Sequence, residues 1–209
     1  MKYIIMCGGN YHTETPKQLR LIKGEPIAYR TVRLLRKAGV EDIAISTNSD
    51  AFDWIGIPIL KHKNNFGNGG HWLEGFYFVD EPVCYLFGDV VFSENAIRTI
   101  VNVQADTIQF FASAPPFHEK YIKKWAEPFG FKVITTDYFR DCVQRAIDLA
   151  NLGKFRRDPI AWELWQIIQR TQLNRVRHDN YCVINDWTCD IDNEEDYRKF
   201  IIATWDEQI

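Results

Sequence analysis

No stretch of this 209-residue sequence approaches the ~18 uninterrupted apolar residues of a membrane-crossing helix, and the opening MKYIIMCGG is too short an apolar run for a secretory leader. A cytoplasmic protein without a membrane partner is expected. Paired cysteines are missing as well. Cys7, Cys84, Cys142, Cys182 and Cys189 are odd in number and contain no CxxC, so nothing points to a disulfide framework or a zinc site, and the five read as reduced thiols. Positive charge is not in excess: 25 Lys and Arg face 28 Asp and Glu, a formal net charge of −3, which leaves no basic field for a nucleic-acid backbone. Repeats, low-complexity tracts and linkers are absent, and the length suits one large domain better than two small ones. Two phosphate-binding signatures, GxxxxGK[ST] and GxGxxG, do not occur.

What is present alternates. Tyr3 to Cys7 is a brief, partly β-branched apolar run ending in glycines, which reads as a buried strand. Ile27 to Ala38 places Ile27, Tyr29, Val32, Leu34 and Leu35 near helical spacing, and Gly39 follows where a C-terminal cap belongs. Strands are then expected at 41–47, from 58, at 83–87, 106–114, 131–134 and 181–185; helices at 70–79, 138–149, 160–169 and 193–204. This order predicts an α/β fold: a single Rossmann-like domain of the GT-A-like kind, with a mixed, mainly parallel sheet flanked by helices. In such a sheet, ligands gather at the carboxyl ends of the strands. Two unusual loops fall there, Gly8 to Lys17 after the first strand and Gly88-Asp89 after "CYLF".

The first of these loops, within MCGGNYHTETPKQL, has the parts of an anion site: glycines that free backbone N–H groups at a strand end, and a lysine as a point charge. On spacing alone it reads equally well as a glycine-rich turn beside a solvated lysine. Asp89 and the acidic "DIDNEED" also have plain readings, as a turn residue and as a helix entrance. The seven tryptophans offer stacking or core; Trp162 and Trp165, three apart, suit a core better than an aromatic box.

Taken in order, the landmarks resemble a family. The glycine-rich loop, "PKQL", "GEP", "IAYRT" to "LLRKAG" and "VEDIAIST" are similar to the opening of the nucleotidyltransferases that act on sugar phosphates and small alcohol phosphates, whose pattern is LAAGxGxR, a PK pair, GKP and an aliphatic helix. "FGNGG" resembles that family's LGTGG segment, "YLFGDVVFS" its strand ending in GD, and "CDIDNEEDYRKF" its closing DIDTPEDL. The stretch from about Ala114 to Tyr181 matches no pattern.

The resemblance implies a magnesium-dependent enzyme that joins a nucleoside monophosphate from a nucleoside triphosphate to a small phosphorylated acceptor, releasing pyrophosphate. The nucleotide-binding part would span about 1–113 and the acceptor side about 114–209. Lys17 would act on the phosphates, and Cys7, Gly8, Gly9, Asn10, Asn68, Gly69 and Gly70 would line the nucleotide. Asp89 would hold the metal together with Asp192 or its neighbour Asp190, because Mg²⁺ takes a few carboxylates and keeps phosphate and water ligands. His12 stands where the family has arginine, a partial charge for a fixed one. A surface-polysaccharide pathway and a homo-oligomer fit the resemblance, and the tryptophans leave a phosphocholine-like acceptor open. Two alternatives stay open: a GT-A-type glycosyltransferase using a nucleotide sugar, and an inactive nucleotide-binding homologue with a regulatory role, which His12 would favour.

Overall fold

The computed structural model describes residues 1–9, 15–62, 71–113 and 126–204. In chain order its elements are β1 (Lys2–Met6), the small pair β2 (Leu21–Ile22) and β3 (Glu25–Pro26), α1 (Ile27–Lys37), β4 (Ile43–Thr47), β5 (Ile59–Lys61), β6 (Val83–Phe87), β7 (Val90–Val91) and α2 (Glu94–Asn102). Then follow β8 (Ile108–Ala112), β9 (Pro128–Val133), α3 (Thr136–Asn151), α4 (Ala161–Ile168), β10 (Cys182–Val183), β11 (Cys189–Asp190) and α5 (Glu194–Ala203). Seven strands form one sheet in the order β10-β8-β9-β6-β1-β4-β5. Each pairing is parallel except those of β9, which runs antiparallel to both β6 and β8. The expected mixed, mainly parallel sheet flanked by helices is what forms.

Side-chain alternation along the strands builds a core on each face. Tyr3 and Ile5 of β1, with Cys84 and Leu86 of β6, join the cluster that includes Leu34 and Leu35 of α1, Ile97 of α2 and Phe200 of α5. Ile4 and Met6, with Val83 and Tyr85, join the other, which takes in Phe139 and Val143 of α3 and Trp162 of α4. Ile4, Ile5 and Leu86 are wholly buried, so β1 and β6 read as continuous apolar runs, as central parallel strands should.

Several local expectations change. The helix expected over 70–79 is a 3-10 turn from His71 to Gly75 followed by irregular chain; Gly75 interrupts the helical pattern, while Leu73 and Phe76 drop onto the sheet. The 131–134 strand starts earlier, at Pro128, and runs through Gly130, where a Cβ would lie 2.2 Å from the Tyr85 carbonyl oxygen. Only glycine lets β9 come so close to β6. Helix α2 was not expected: Ser93 caps it by accepting from Ala96 N–H at 2.8 Å, and Ala96, Ile97 and Ile100 face the core. Tyr29, grouped with the apolar stripe of α1, is instead exposed and stacks on Trp54 at 5.8 Å.

The parallel register of β1 and β6 pairs Met6 with Phe87, so the loops that follow both strands leave the sheet side by side. Gly88 N–H donates to the Met6 carbonyl at 2.9 Å, and a Cβ at Gly88 would lie 2.6 Å from both that oxygen and Cys7 Sγ. Gly88→Ala must therefore pry the two strand ends apart. Urea unfolding is expected to show a loss of about 2 kcal/mol, the usual scale of an overpacked interior; unchanged stability would refute the close approach.

Candidate functional site

A cleft of about 990 Å³ opens at these strand ends, within the range of ligand sites. Gly8 and Gly9 line one side, and Asp89, Asp190 and Asp192 line it as well. The glycine loop is braced from behind: Thr47 Oγ1 donates to the Cys7 carbonyl at 3.0 Å, Asn48 Nδ2 to Gly9 at 3.3 Å and the buried Gln18 Nε2 to Gly8 at 3.4 Å.

Lys17 opens a 3-10 turn, Lys17–Leu19, directly after Pro16. Its ammonium lies 2.5 Å from Asp89 Oδ2 and 3.3 Å from Asp192 Oδ1. Burial alone would lower the Lys17 pKa, but the Asp89 and Asp192 carboxylates outweigh it and, with a smaller contribution from Asp190, hold the group well above its ordinary value. The lysine is a fixed cation. The acids reach it by a second route of folding: β11 pairs antiparallel with β7, Cys189 against Val91 and Asp190 against Val90, and Ile191 N–H donates to the Asp89 carbonyl at 2.9 Å. Residues 190 and 192 thereby flank the backbone of Asp89, Asp190 buried and Asp192 about half exposed.

Lys17, Asp89, Asp190 and Asp192 thus come together, with Gly8 and Gly9 in the same cleft. Cys7 is near but wholly buried, and burial drives its thiol pKa well upward, so it supports the loop from inside. Asn10, His12, Asn68, Gly69 and Gly70 lie outside the described residues. Among the described residues no group of three or more His, Cys, Asp and Glu forms a metal cage. The donor set nonetheless fits Mg²⁺: two carboxylates that converge on one ammonium present oxygens to one cationic position, and this ion completes its shell with phosphate and water.

The cleft also has an aromatic lining, in which the sequence does not single out Trp72 and leaves Trp162 as core or box. Trp72, from the 3-10 turn, donates its Nε1–H to the Pro159 carbonyl at 2.6 Å and lines the cleft beside Phe87. Trp162 donates to Ala126 at 2.8 Å and lines the cleft too, with His178 edge-on to it at 4.4 Å. Trp165 packs in the core, Trp187 lies near the Arg30 guanidinium at 5.7 Å, and Trp125 is outside the described residues. Arg157 also lines the cleft, paired with Glu163 at 3.0 Å, whereas Arg156 is exposed away from it. Trp72 follows "FGNGG" by two residues, which was the available signal.

No protein-family model matches the chain, and no curated protein sequence matches it. Solved structures do. A protein described as a glucose-1-phosphate thymidylyltransferase from Bacillus anthracis, in complex with sucrose, superposes with TM-score 0.62 at 16% identity over 97% of this chain and 94% of that one. UDP-glucose pyrophosphorylase from Acinetobacter baumanii gives 0.57 at 13% identity over 99% and 94%. CTP:phosphocholine cytidylyltransferase from Streptococcus pneumoniae gives 0.51 at 14% identity over 95% and 96%. The fold is therefore that of the sugar-phosphate and alcohol-phosphate nucleotidyltransferases. Among the described residues, no helix is long and apolar enough to cross a membrane.

The cysteine environments are checkable. Burial raises the Cys84 thiol to about 12 and lifts Cys7, Cys142 and Cys182, of which only Cys182 is partly exposed. At neutral pH, Ellman's reagent is expected to titrate Cys182 slowly at most in the native protein and all five thiols after denaturation; rapid native reaction of Cys7 would contradict its placement behind the loop.

Proposed function

We propose that the protein is a magnesium-dependent nucleotidyltransferase that moves a nucleoside monophosphate from a nucleoside triphosphate to a small phosphorylated acceptor. The observation that carries this is the meeting of Lys17, Asp89 and Asp192 beside the Gly8-Gly9 loop, in the cleft of a chain with this fold. A phosphate oxygen of the acceptor attacks the α-phosphorus, the bond to the β-phosphate oxygen breaks, and pyrophosphate leaves with that electron pair. Such transfer asks a protein mainly for alignment and for neutralisation of crowded negative charge.

Each part has a task in that scheme. The braced glycine loop is where the triphosphate lies. Lys17, held at the mouth of the loop, meets the phosphates with a permanent charge. Asp89 and Asp192, with Asp190 behind them, are the residues that would hold Mg²⁺, which when bound shields the phosphates from one another. The wall of Trp72, Phe87 and Trp162 is left for the acceptor's non-phosphate end. Trp72, its indole N–H bound to a carbonyl, offers ring surface beside Phe87, which suits the C–H face of a sugar or an alkylammonium, while the buried Trp162 backs this part of the cleft.

The test is pyrophosphate release, with Mg²⁺, from each of the four triphosphates against a panel of sugar phosphates and alcohol phosphates including phosphocholine. One triphosphate and acceptor pair is expected to turn over, and Asp89→Asn and Lys17→Met should each lower kcat by about 10²-fold or more, the usual effect of removing one preorganised charge. Absence of release with every pair would overturn the proposal. Hydrolysis of a sugar nucleotide in its place would identify a glycosyltransferase.

A further inference from the structure

Asp190 and Asp192 depend on a two-residue bridge, β11 on β7, and so short a ladder does not hold its register unaided. Register matters here, since a slip by one residue turns every side chain to the other face. The group that pins it lies away from the cleft. Asp186 uses both carboxylate oxygens: Oδ2 accepts from the Ser93 hydroxyl at 2.5 Å, and Oδ1 from the Thr188 backbone N–H at 2.8 Å. The Thr188 hydroxyl accepts from Ser93 N–H at 3.0 Å, which closes a ring of hydrogen bonds. Ser93 Oγ in turn accepts from Ala96 N–H and caps α2. Thr188 immediately precedes β11, Ser93 stands two residues after β7, and both are buried.

We propose that Asp186 is a positioning residue: by tying Thr188 to Ser93 it locks β11 against β7 and so sets where Asp190 and Asp192 stand relative to Asp89. The inference rests on reading Asp89 and Asp192 as the residues that hold the divalent ion. Asp186 itself does not line the cleft. Its bonds are charge-assisted, and the Ser93 hydroxyl, donating to Asp186 while accepting from Ala96, couples them into one cooperative unit. A bridge held this way moves with the rigid start of α2, which is how a strand of two residues can deliver two carboxylates to a fixed place.

The experiment reads ion affinity apart from turnover. Mn²⁺ alone is titrated into wild type, Asp89→Asn, Asp186→Ala, Asp186→Asn and Thr188→Val, free ion is followed by electron paramagnetic resonance, and circular dichroism with urea unfolding establishes that each variant is folded. Wild type should bind, and Asp89→Asn should lose the site. Asp186→Ala should weaken Mn²⁺ binding ~10-fold and Thr188→Val ~3-fold, while Asp186→Asn, which keeps an oxygen for Thr188 N–H, recovers most of the affinity, the pattern of groups that orient metal-holding residues. If Asp186→Ala does not fold, Thr188→Val carries the test. Folded Asp186→Ala or Thr188→Val with wild-type Mn²⁺ affinity, beside a defective Asp89→Asn, would overturn the positioning role alone. Equal binding by wild type and Asp89→Asn, or none by wild type, would overturn the ion-site reading and this inference with it.

Discussion

One ammonium group joins three remote parts of this chain. Lys17 touches Asp89, which follows the fourth sheet strand in sequence, and Asp192, 175 residues from the lysine. Two carboxylates facing one another in a partly buried cleft repel; at about 4 Å and the dielectric of a protein surface region, a pair of unit charges interacts by about 4 kcal/mol. The Lys17 ammonium lies between them and holds the two segments together. Bringing three charges out of water has its own cost, so this contact is better understood as a device for specifying a site than as a source of stability.

The rest of the architecture supplies the stability. Each long strand of the sheet feeds two apolar layers, and the aromatic richness of the chain is spent largely there: Phe76, Tyr85, Phe131 and Phe139 pack against one another under α3, all buried. A core of that density holds the strand ends rigid, and rigid strand ends let short loops carry chemistry.

Some of this was legible in the residues and some was not. β1, α1, β4 and β6 could be read because each is a run of clear period bounded by glycine or charge. β9 could not be read in full, since Pro128 and Gly130 look like breakers and act here as an edge and a close approach to β6. α2 is short, and its signal, Ser93 before Ala96, Ile97 and Ile100, sits so near the GD turn that it passes for a loop. Lys17, Asp89 and Asp192 were visible as ordered landmarks, but their meeting rests on a two-residue bridge that no periodicity reveals. Trp72 was hidden by a glycine-rich approach that suggested an ordinary helix.

That late bridge also has a temporal meaning. A chain leaving the ribosome has β1, the glycine loop, Lys17 and Asp89 well before residue 192 is made. Until then the early half carries Asp89 without its later neighbours, and Lys17 has one carboxylate partner in place of two. The second half of the Lys17 contact is therefore a late event, made only when the segment that carries Asp192 docks on β7.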